Sequence, residues 1–128
     1  MPKRVLDIGN CLPDHRAIVT MIESNFDARV SQADRWDDAV EQLRSQPFDL
    51  VLVSRKLDID YSDGLEVIRR IKQDPQLKSL PVMMVTNFGE HQQQAVQAGA
   101  VEGFGKQSLR APGTLQKLAP FLNPSEPD

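Results

Sequence analysis

The chain has 128 residues, of which 40% are hydrophobic and 26% are charged, as is typical of one globular domain around a single core. No apolar run approaches the roughly 20 residues of a membrane helix, and the N-terminus lacks the pattern of a signal peptide. Cys11, His15 and His91 give no internal disulfide and no metal-ligand spacing. The net charge of −3 argues against a nucleic-acid partner. We therefore expect a cytoplasmic domain that binds neither membrane nor nucleic acid.

Short apolar segments along the chain predict strands. They are residues 4–8, 28–32, 49–54, 81–86 and 101–105. Residues 49–54 and 81–86 are continuous apolar runs, which is typical of strands covered on both faces. These two strands are therefore predicted at the centre of a parallel sheet.

The intervening segments repeat apolar residues at helical spacing. They predict helices over 14–26, 35–45, 64–73, 90–98 and from Pro112 onward. Asp63 is expected to cap the third helix, and Gly99 to end the fourth in a left-handed C-cap. Pro120 lacks a backbone donor, so it is expected to end or kink the fifth helix. The alternation predicts an α/β fold, a doubly wound five-stranded parallel sheet in a three-layer sandwich with its ligand crevice at the carboxyl ends of the strands.

Three stretches of the sequence carry a resemblance to a known family through their order and spacing. They are residues 48–53 with 63–67, residues 81–86, and residues 98–100 with Lys106. In this order they resemble the third strand and helix, the fourth strand with its switch threonine, and the lysine region of the receiver domain of bacterial response regulators. The resemblance covers nearly all of residues 3–122. It implies a flavodoxin-like fold with strand order 2-1-3-4-5 and a receiver-like domain over 1–122. Residues 123–128, which include Pro124 and Pro127, are expected to form a disordered tail.

The chain departs from this family at the site of phosphotransfer. In the family an aspartate ending strand three is phosphorylated, and two acidic residues after strand one hold magnesium. The matching positions here are Ser54, Gly9 and Asn10, whereas Thr86 and Lys106 match the switch threonine and the phosphate-sensing lysine. Acyl-phosphate chemistry needs a carboxylate nucleophile and a cation held by oxygen ligands. We therefore predict a degenerate phosphoacceptor site, with no enzymatic activity and no magnesium or other cofactor.

A lysine near this site needs a partner if it is partly buried. For Lys106 the candidates are Asp7, Asp58 and Asp60, unless its ammonium reaches water. Asp7 lies in an apolar strand, so a buried carboxylate there must be paired or protonated. We interpret it as part of a structural ion pair or an irregular strand end. The alternative is a shifted metal ligand, together with Asp58 or Asp60.

The family's conformational switch couples the threonine to an aromatic residue on strand five, a position that is Gly103 here. Phe104 follows it and is expected to face the other side of the strand. The sequence thus predicts a pseudo-receiver that binds a signalling protein, such as a histidine kinase or an effector, without phosphorylation. Two alternatives stay open: a regulator modified at Ser54, and a flavodoxin-like protein that binds a small molecule. The oligomeric state also stays open.

The resemblance implies a docking face on the fourth helix, fifth strand and fifth helix. Gln93 and Gln97 belong to a polar, weakly charged face of the fourth helix, which suits an interface. If Pro120 shortens the fifth helix, Phe121 and Leu122 are exposed as an apolar anchor. The alternative is that both residues close the core.

Overall fold

The computed structural model describes residues 2–123. The strands are β1 (Lys3–Ile8), β2 (Ala28–Ala33), β3 (Leu50–Ser54), β4 (Val82–Val85) and β5 (Val101–Phe104). The helices are α1 (Leu12–Asn25), α2 (Trp36–Ser45), α3 (Gly64–Gln73), α4 (Gly89–Gln97) and α5 (Pro112–Leu122), with a 3-10 turn at Lys106–Ser108. The predicted strands and helices are confirmed, with small shifts at their ends.

The strands form one parallel sheet in the order β2-β1-β3-β4-β5. This confirms the predicted fold class and strand order. Every residue of β3 and β4 is buried, because helices cover both faces of these central strands. Residues 124–128 of the predicted disordered tail lie outside the described residues.

Alternate strand residues face two separate apolar clusters. One cluster lies between the sheet and α2, α3 and α4, and it contains Leu6, Ile8, Val51, Val53 and Met84. The other lies between the sheet and α1 and α5, and it contains Val5, Leu50, Leu52, Met83 and Val85. Burial of these side chains holds the strand ends in fixed positions. None of the helices formed by residues 2–123 has the length and apolar character needed to span a bilayer.

Two predicted helix ends are confirmed. The Asp63 side chain accepts a hydrogen bond from the Leu65 backbone N–H at 2.9 Å, which caps α3. Gly99 follows α4 with a φ of +110°, a backbone conformation that glycine adopts without steric cost.

Of the two effects predicted for Pro120, the end of the fifth helix is wrong, because α5 continues through Pro120 to Leu122. Leu118 and Leu122 are fully buried, and their burial holds the last turn in place despite the missing proline donor. Phe121 is half-buried and packs against the α1 and α5 cluster. Leu122 therefore closes the core and is not the exposed anchor.

Candidate functional site

The carboxyl ends of the central strands bring the predicted site residues to one edge of the sheet. Asn10, Ser54 and Thr86 are 3%, 5% and 7% exposed, and Gly9 is buried beside them. Lys106 begins the 3-10 turn after β5 and is exposed. The fold thus brings these five residues to the carboxyl ends of the strands, where the ligand crevice was predicted.

The two hydroxyl groups at this edge are held by their own loops. Ser54 Oγ donates to the Lys56 carbonyl at 2.7 Å. Thr86 Oγ1 accepts from the Phe88 backbone N–H at 3.3 Å and lies 3.4 Å from Nδ1 of His91. Within residues 2–123, no hydrogen bond joins either hydroxyl to Lys106.

Leu57 fills the space beside Gly9, the position predicted to match the family's first acidic residue. Gly9 has a φ of +81°, and a Cβ built on it would lie 2.3 Å from Leu57 Cγ and 2.9 Å from Leu57 Cβ. Leu57 is fully buried, and its loop is held to the end of β1 by a 2.8 Å hydrogen bond from Asp58 N–H to the Gly9 carbonyl. Leu57 was not among the predicted site residues. The available signal was the glycine at position 9, which leaves space for a neighbouring side chain.

Lys106 pairs with Asp14, and none of the three predicted partners fills that role. Its Nζ lies 2.6 Å from Asp14 Oδ2, which also accepts from Cys11 Sγ at 3.0 Å. Partial burial would raise the pKa of Asp14, but the hydrogen bonds from Lys106 and Cys11 outweigh it and hold that pKa below its ordinary value. The prediction failed because Asp14 reaches the lysine from the first turn of α1, a placement that only the packing of α1 decides.

Asp58 and Asp60 lie on the exposed loop after β3. Asp60 accepts from the backbone N–H and the hydroxyl of Ser62, at 2.9 and 2.7 Å. Within residues 2–123, no group of three His, Cys, Asp or Glu side chains is arranged to hold a metal ion. The geometry therefore gives no support to a shifted metal site with Asp7.

Asp7 is fully buried and paired. It accepts a 2.5 Å hydrogen bond from Asn10 Nδ2 and lies 2.7 Å from Nδ1 of His15. Burial raises the pKa of Asp7, and this effect exceeds the lowering by Asn10 and His15. His15 was not predicted as a partner, although it lies in the first turn of the helix that follows Asp7. The result is a polar network of Asp7, Asn10 and His15 at the end of β1.

Replacing Asp7 with asparagine should stabilise the fold at neutral and alkaline pH. The raised pKa means that the folded state favours the protonated carboxyl, so the stability from this group is present at acid pH and is lost as the pH rises through that pKa. An asparagine is neutral throughout and can still accept from Asn10. We expect Asp7→Asn to raise the free energy of unfolding by about 1 kcal/mol at pH 8 and by less at pH 4, as measured by urea denaturation.

The matched control is Asp27→Asn, because Asp27 is exposed and its stability change should depend little on pH. A loss of stability at pH 8 in the Asp7 variant would contradict the prediction, since it would mean that the pairing with His15 outweighs the cost of burial.

The predicted interaction face lies on α4. Gln93 and Gln97 are exposed and line a groove of about 450 Å³ with Val96 and Glu102. Val96 is 45% exposed and Phe88, just before the helix, is 65% exposed. These two side chains supply the apolar surface that Phe121 and Leu122 were expected to provide.

A glutamine ties this face to the sheet. Gln92 Nε2 donates to the Met84 carbonyl at 2.9 Å, and its Oε1 accepts from the Gly103 N–H at 2.9 Å. Lys117 Nζ donates to the Gly103 carbonyl at 3.0 Å. A Cβ at Gly103 would lie 2.3 Å from the Met84 oxygen, so this position, predicted to match the family's aromatic switch residue, has no room for a side chain. Phe104 packs in the α1 and α5 cluster, on the other side of the strand.

Comparison with known proteins gives one family. The model of the response regulator receiver domain matches residues 13–117. A search of curated proteins found no significant match. Similar solved structures include a response regulator from Thermotoga maritima, with 21% identity and a TM-score of 0.76 over 94% of this chain and 98% of that one.

The signal receiver domain of a DNA-binding response regulator from Colwellia psychrerythraea has 22% identity and a TM-score of 0.74, over 92% of this chain and 98% of that one. The chemotaxis response regulator CheY4 of Vibrio cholerae has 18% identity and a TM-score of 0.73, over 92% of this chain and 99% of that one. Because these sequence identities are low, the structural likeness establishes the fold alone. The match to the family model establishes the family. The chain belongs to the response regulator receiver domain family.

Proposed function

We propose that the chain is a receiver-like signalling module that works by protein-protein interaction, without aspartyl phosphorylation. The observation that carries this proposal is the closure of Gly9 by Leu57, 2.3 Å from the position of a Cβ. A carboxylate cannot occupy that position unless Leu57 moves. Ser54 offers a hydroxyl that already donates to the Lys56 carbonyl. Neither the nucleophile nor the metal ligands of acyl-phosphate chemistry are therefore available.

The rest of the switch supports the same proposal. Lys106 is engaged by Asp14, and Gly103 is held from both sides by Gln92 and Lys117. These contacts are made by neutral amides and by the protein's own charged side chains, and none of them needs a phosphate group. They therefore favour one fixed conformation. A module of this kind presents a constant surface to its partner.

Acetyl phosphate or beryllofluoride, with magnesium present, should leave the protein unchanged. We expect no shift of the backbone amide resonances of Gly9, Ser54 and Thr86 in a ¹H-¹⁵N spectrum, because no carboxylate and no cation site receive the ligand. Ser54→Asp alone should also stay unmodified by acetyl phosphate in intact-mass measurements, because the missing parts act as a unit. Saturable shifts at these resonances, or a gain of one phosphoryl group by the variant, would refute the proposal.

Modification of Ser54 by a separate kinase is the alternative function. Its 5% exposure and its bond to Lys56 weigh against it, because a kinase must reach a free hydroxyl. Phosphate on Ser54 of the native protein, found by mass spectrometry, would favour it. The small-molecule alternative is weakened by the family match and by the loop after β1, which reads Gly-Asn-Cys-Leu-Pro-Asp and lacks the serines and threonines of a phosphate-binding turn.

We propose that the partner, a kinase or effector protein, docks on the α4 face formed by Gln93, Val96 and Gln97. The combination of Val96→Asp and Gln93→Glu should then weaken partner capture from the native lysate, because both substitutions place charge in an interface that must be desolvated. Gln73→Glu on α3 is the matched control, since Gln73 is also exposed. Unchanged capture by a variant with unchanged melting temperature would exclude this face.

A further inference from the structure

The parallel sheet has two edges, which are formed by β2 and β5. An edge strand directs the N–H and C=O groups of alternate residues away from the sheet, and a strand from another chain can pair with them. A second copy of the same chain is always present to supply such a strand. The side chains around β2 and β5 therefore decide whether copies of this protein can pair through their edges.

Two side chains cover the outward groups of β2. The Ala33 carbonyl faces β1, since it accepts at 2.8 Å from the N–H of the residue that follows that strand. Successive residues alternate in direction, so Val30 and Gln32 face outward. Glu23 of α1 accepts from the Val30 N–H at 3.0 Å. Gln42 Nε2 of α2 donates to the Gln32 carbonyl at 2.9 Å.

The edge at β5 is covered in the same way. The Phe104 carbonyl faces β4, since it accepts from the Thr86 N–H at 3.0 Å, and Gly103 therefore faces outward. Gln92 Oε1 of α4 accepts from the Gly103 N–H at 2.9 Å. Lys117 Nζ of α5 donates to the Gly103 carbonyl at 3.0 Å. Both backbone groups of Gly103 are thus occupied by side chains of the same chain.

Each edge is covered by one charged side chain and one glutamine, which come from opposite layers of helices. The charged side chain belongs to α1 or α5, and the glutamine belongs to α2 or α4. A residue of the edge strand also pairs with the charged group. Glu23 Oε1 lies 3.8 Å from Arg29 Nη1, and Lys117 Nζ lies 3.2 Å from Glu102 Oε1. Charged side chains at an edge oppose strand pairing, so the same protection occurs twice in unrelated parts of the chain.

We infer that four edge-covering side chains keep the sheet closed to strand addition by a second copy of this chain. They are Glu23, Gln42, Gln92 and Lys117. An added strand must displace these side chains and break their hydrogen bonds to the edge backbone before it can form its own. The inference goes beyond the proposed function and does not depend on it, because it concerns the edges of the sheet and not the exposed side chains of α4.

The test uses β2, because Gln92 at the other edge also binds the Met84 carbonyl and its loss would disturb the sheet itself. The combined variant Glu23→Ala and Gln42→Ala uncovers β2. We expect it to self-associate at least about tenfold more tightly than the parent, as measured by sedimentation velocity over a range of protein concentrations. Gln42→Ala alone uncovers only one carbonyl and should give a smaller increase, so it repeats the test with less change to the fold.

Hydrogen exchange identifies the surface that the variant uses. As its concentration rises, the Val30 and Gln32 amides should exchange more slowly, because a second strand then pairs with them. The Ser31 amide points toward β1 and should not depend on concentration. In the parent, none of these three amides should depend on concentration.

Two further variants separate covering of the edge from other effects. Glu41→Ala combined with Gln73→Ala removes one exposed carboxylate and one exposed amide but leaves the edge-covering side chains in place, so it should associate as the parent does. Glu23→Gln keeps an oxygen that can accept from the Val30 N–H and removes the charge. It should therefore also behave as the parent does.

The inference is overturned if the double alanine variant associates no more tightly than the parent. Association without added protection of Val30 and Gln32 would also overturn it, since the contact would then lie on another surface. Equally tight association of Glu23→Gln would show that charge repulsion, and not covering, separates the copies. Concentration-dependent protection of the same amides in the parent would show that the edge is already open.

Discussion

Replacing Gly9 with aspartate should lower the free energy of unfolding by about 3 kcal/mol, although the resemblance predicts an acidic residue at this position of the family. The backbone at Gly9 has a φ of +81°, and the new Cβ would meet Leu57 Cγ at 2.3 Å and Leu57 Cα at 3.0 Å. The second contact is with backbone, so a rotation of the leucine side chain does not relieve it. Urea denaturation gives the free energy of unfolding.

Gly113→Asp is the matched control, because a Cβ there meets nothing within 4 Å and Gly113 lies near the start of α5. An acid near a helix N-terminus is favourable or neutral, so this variant should be as stable as the parent. If Gly9→Asp were equally harmless, Leu57 would not be closing the site and the proposed function would lose its main support.

A double-mutant cycle with Leu57→Ala identifies the contact responsible. Leu57→Ala alone should cost about 3 kcal/mol through lost burial and a cavity. If the clash dominates, the double variant should be less destabilised than the sum of the two single changes by about 1 kcal/mol or more. Strict additivity would assign the cost of Gly9→Asp to its backbone conformation.

Gln92→Leu should lower the free energy of unfolding by about 2 kcal/mol and loosen the connection of α4 to the sheet. Leucine matches glutamine roughly in size but leaves the buried Gly103 N–H and the Met84 carbonyl without their side-chain partners. The register of β4 and β5 is irregular at this point, so no strand neighbour replaces the amide. The amide hydrogen of Gly103 should exchange faster with solvent.

Gln93→Leu is the control for this prediction. Gln93 is the next residue of α4 and is exposed, so its change should stay within about 0.5 kcal/mol. Unchanged exchange of the Gly103 amide in the Gln92 variant would show that the side chain does not fix β5. It would also weaken the proposal of a single conformation without a switch.

Much of the fold could be predicted from the sequence because its signals are local. The apolar runs at 49–54 and 81–86 mark strands covered on both faces, and these became the buried central strands β3 and β4. Asp63 and Gly99 act through the backbone within a few residues of themselves, so their capping roles could be recognised without the tertiary structure. The sequence also predicted which residues meet at the carboxyl ends of the strands, and Gly9, Asn10, Ser54 and Thr86 are buried together there.

The partners of the site residues depended on the tertiary structure. Asp14 reaches Lys106 and Leu57 covers Gly9 from segments far away in sequence, and Gln92 bridges β4 and β5 from the helix between them. Periodicity shows which face a side chain occupies but not which distant group it meets there. Pro120 is the converse case: its local signal predicted a helix end, and the burial of Leu118 and Leu122 overrode it. The fold therefore followed from local patterns along the chain, whereas the contacts around Gly9, Gly103 and Lys106 depended on how α1, α4 and the loop after β3 pack against the strand ends.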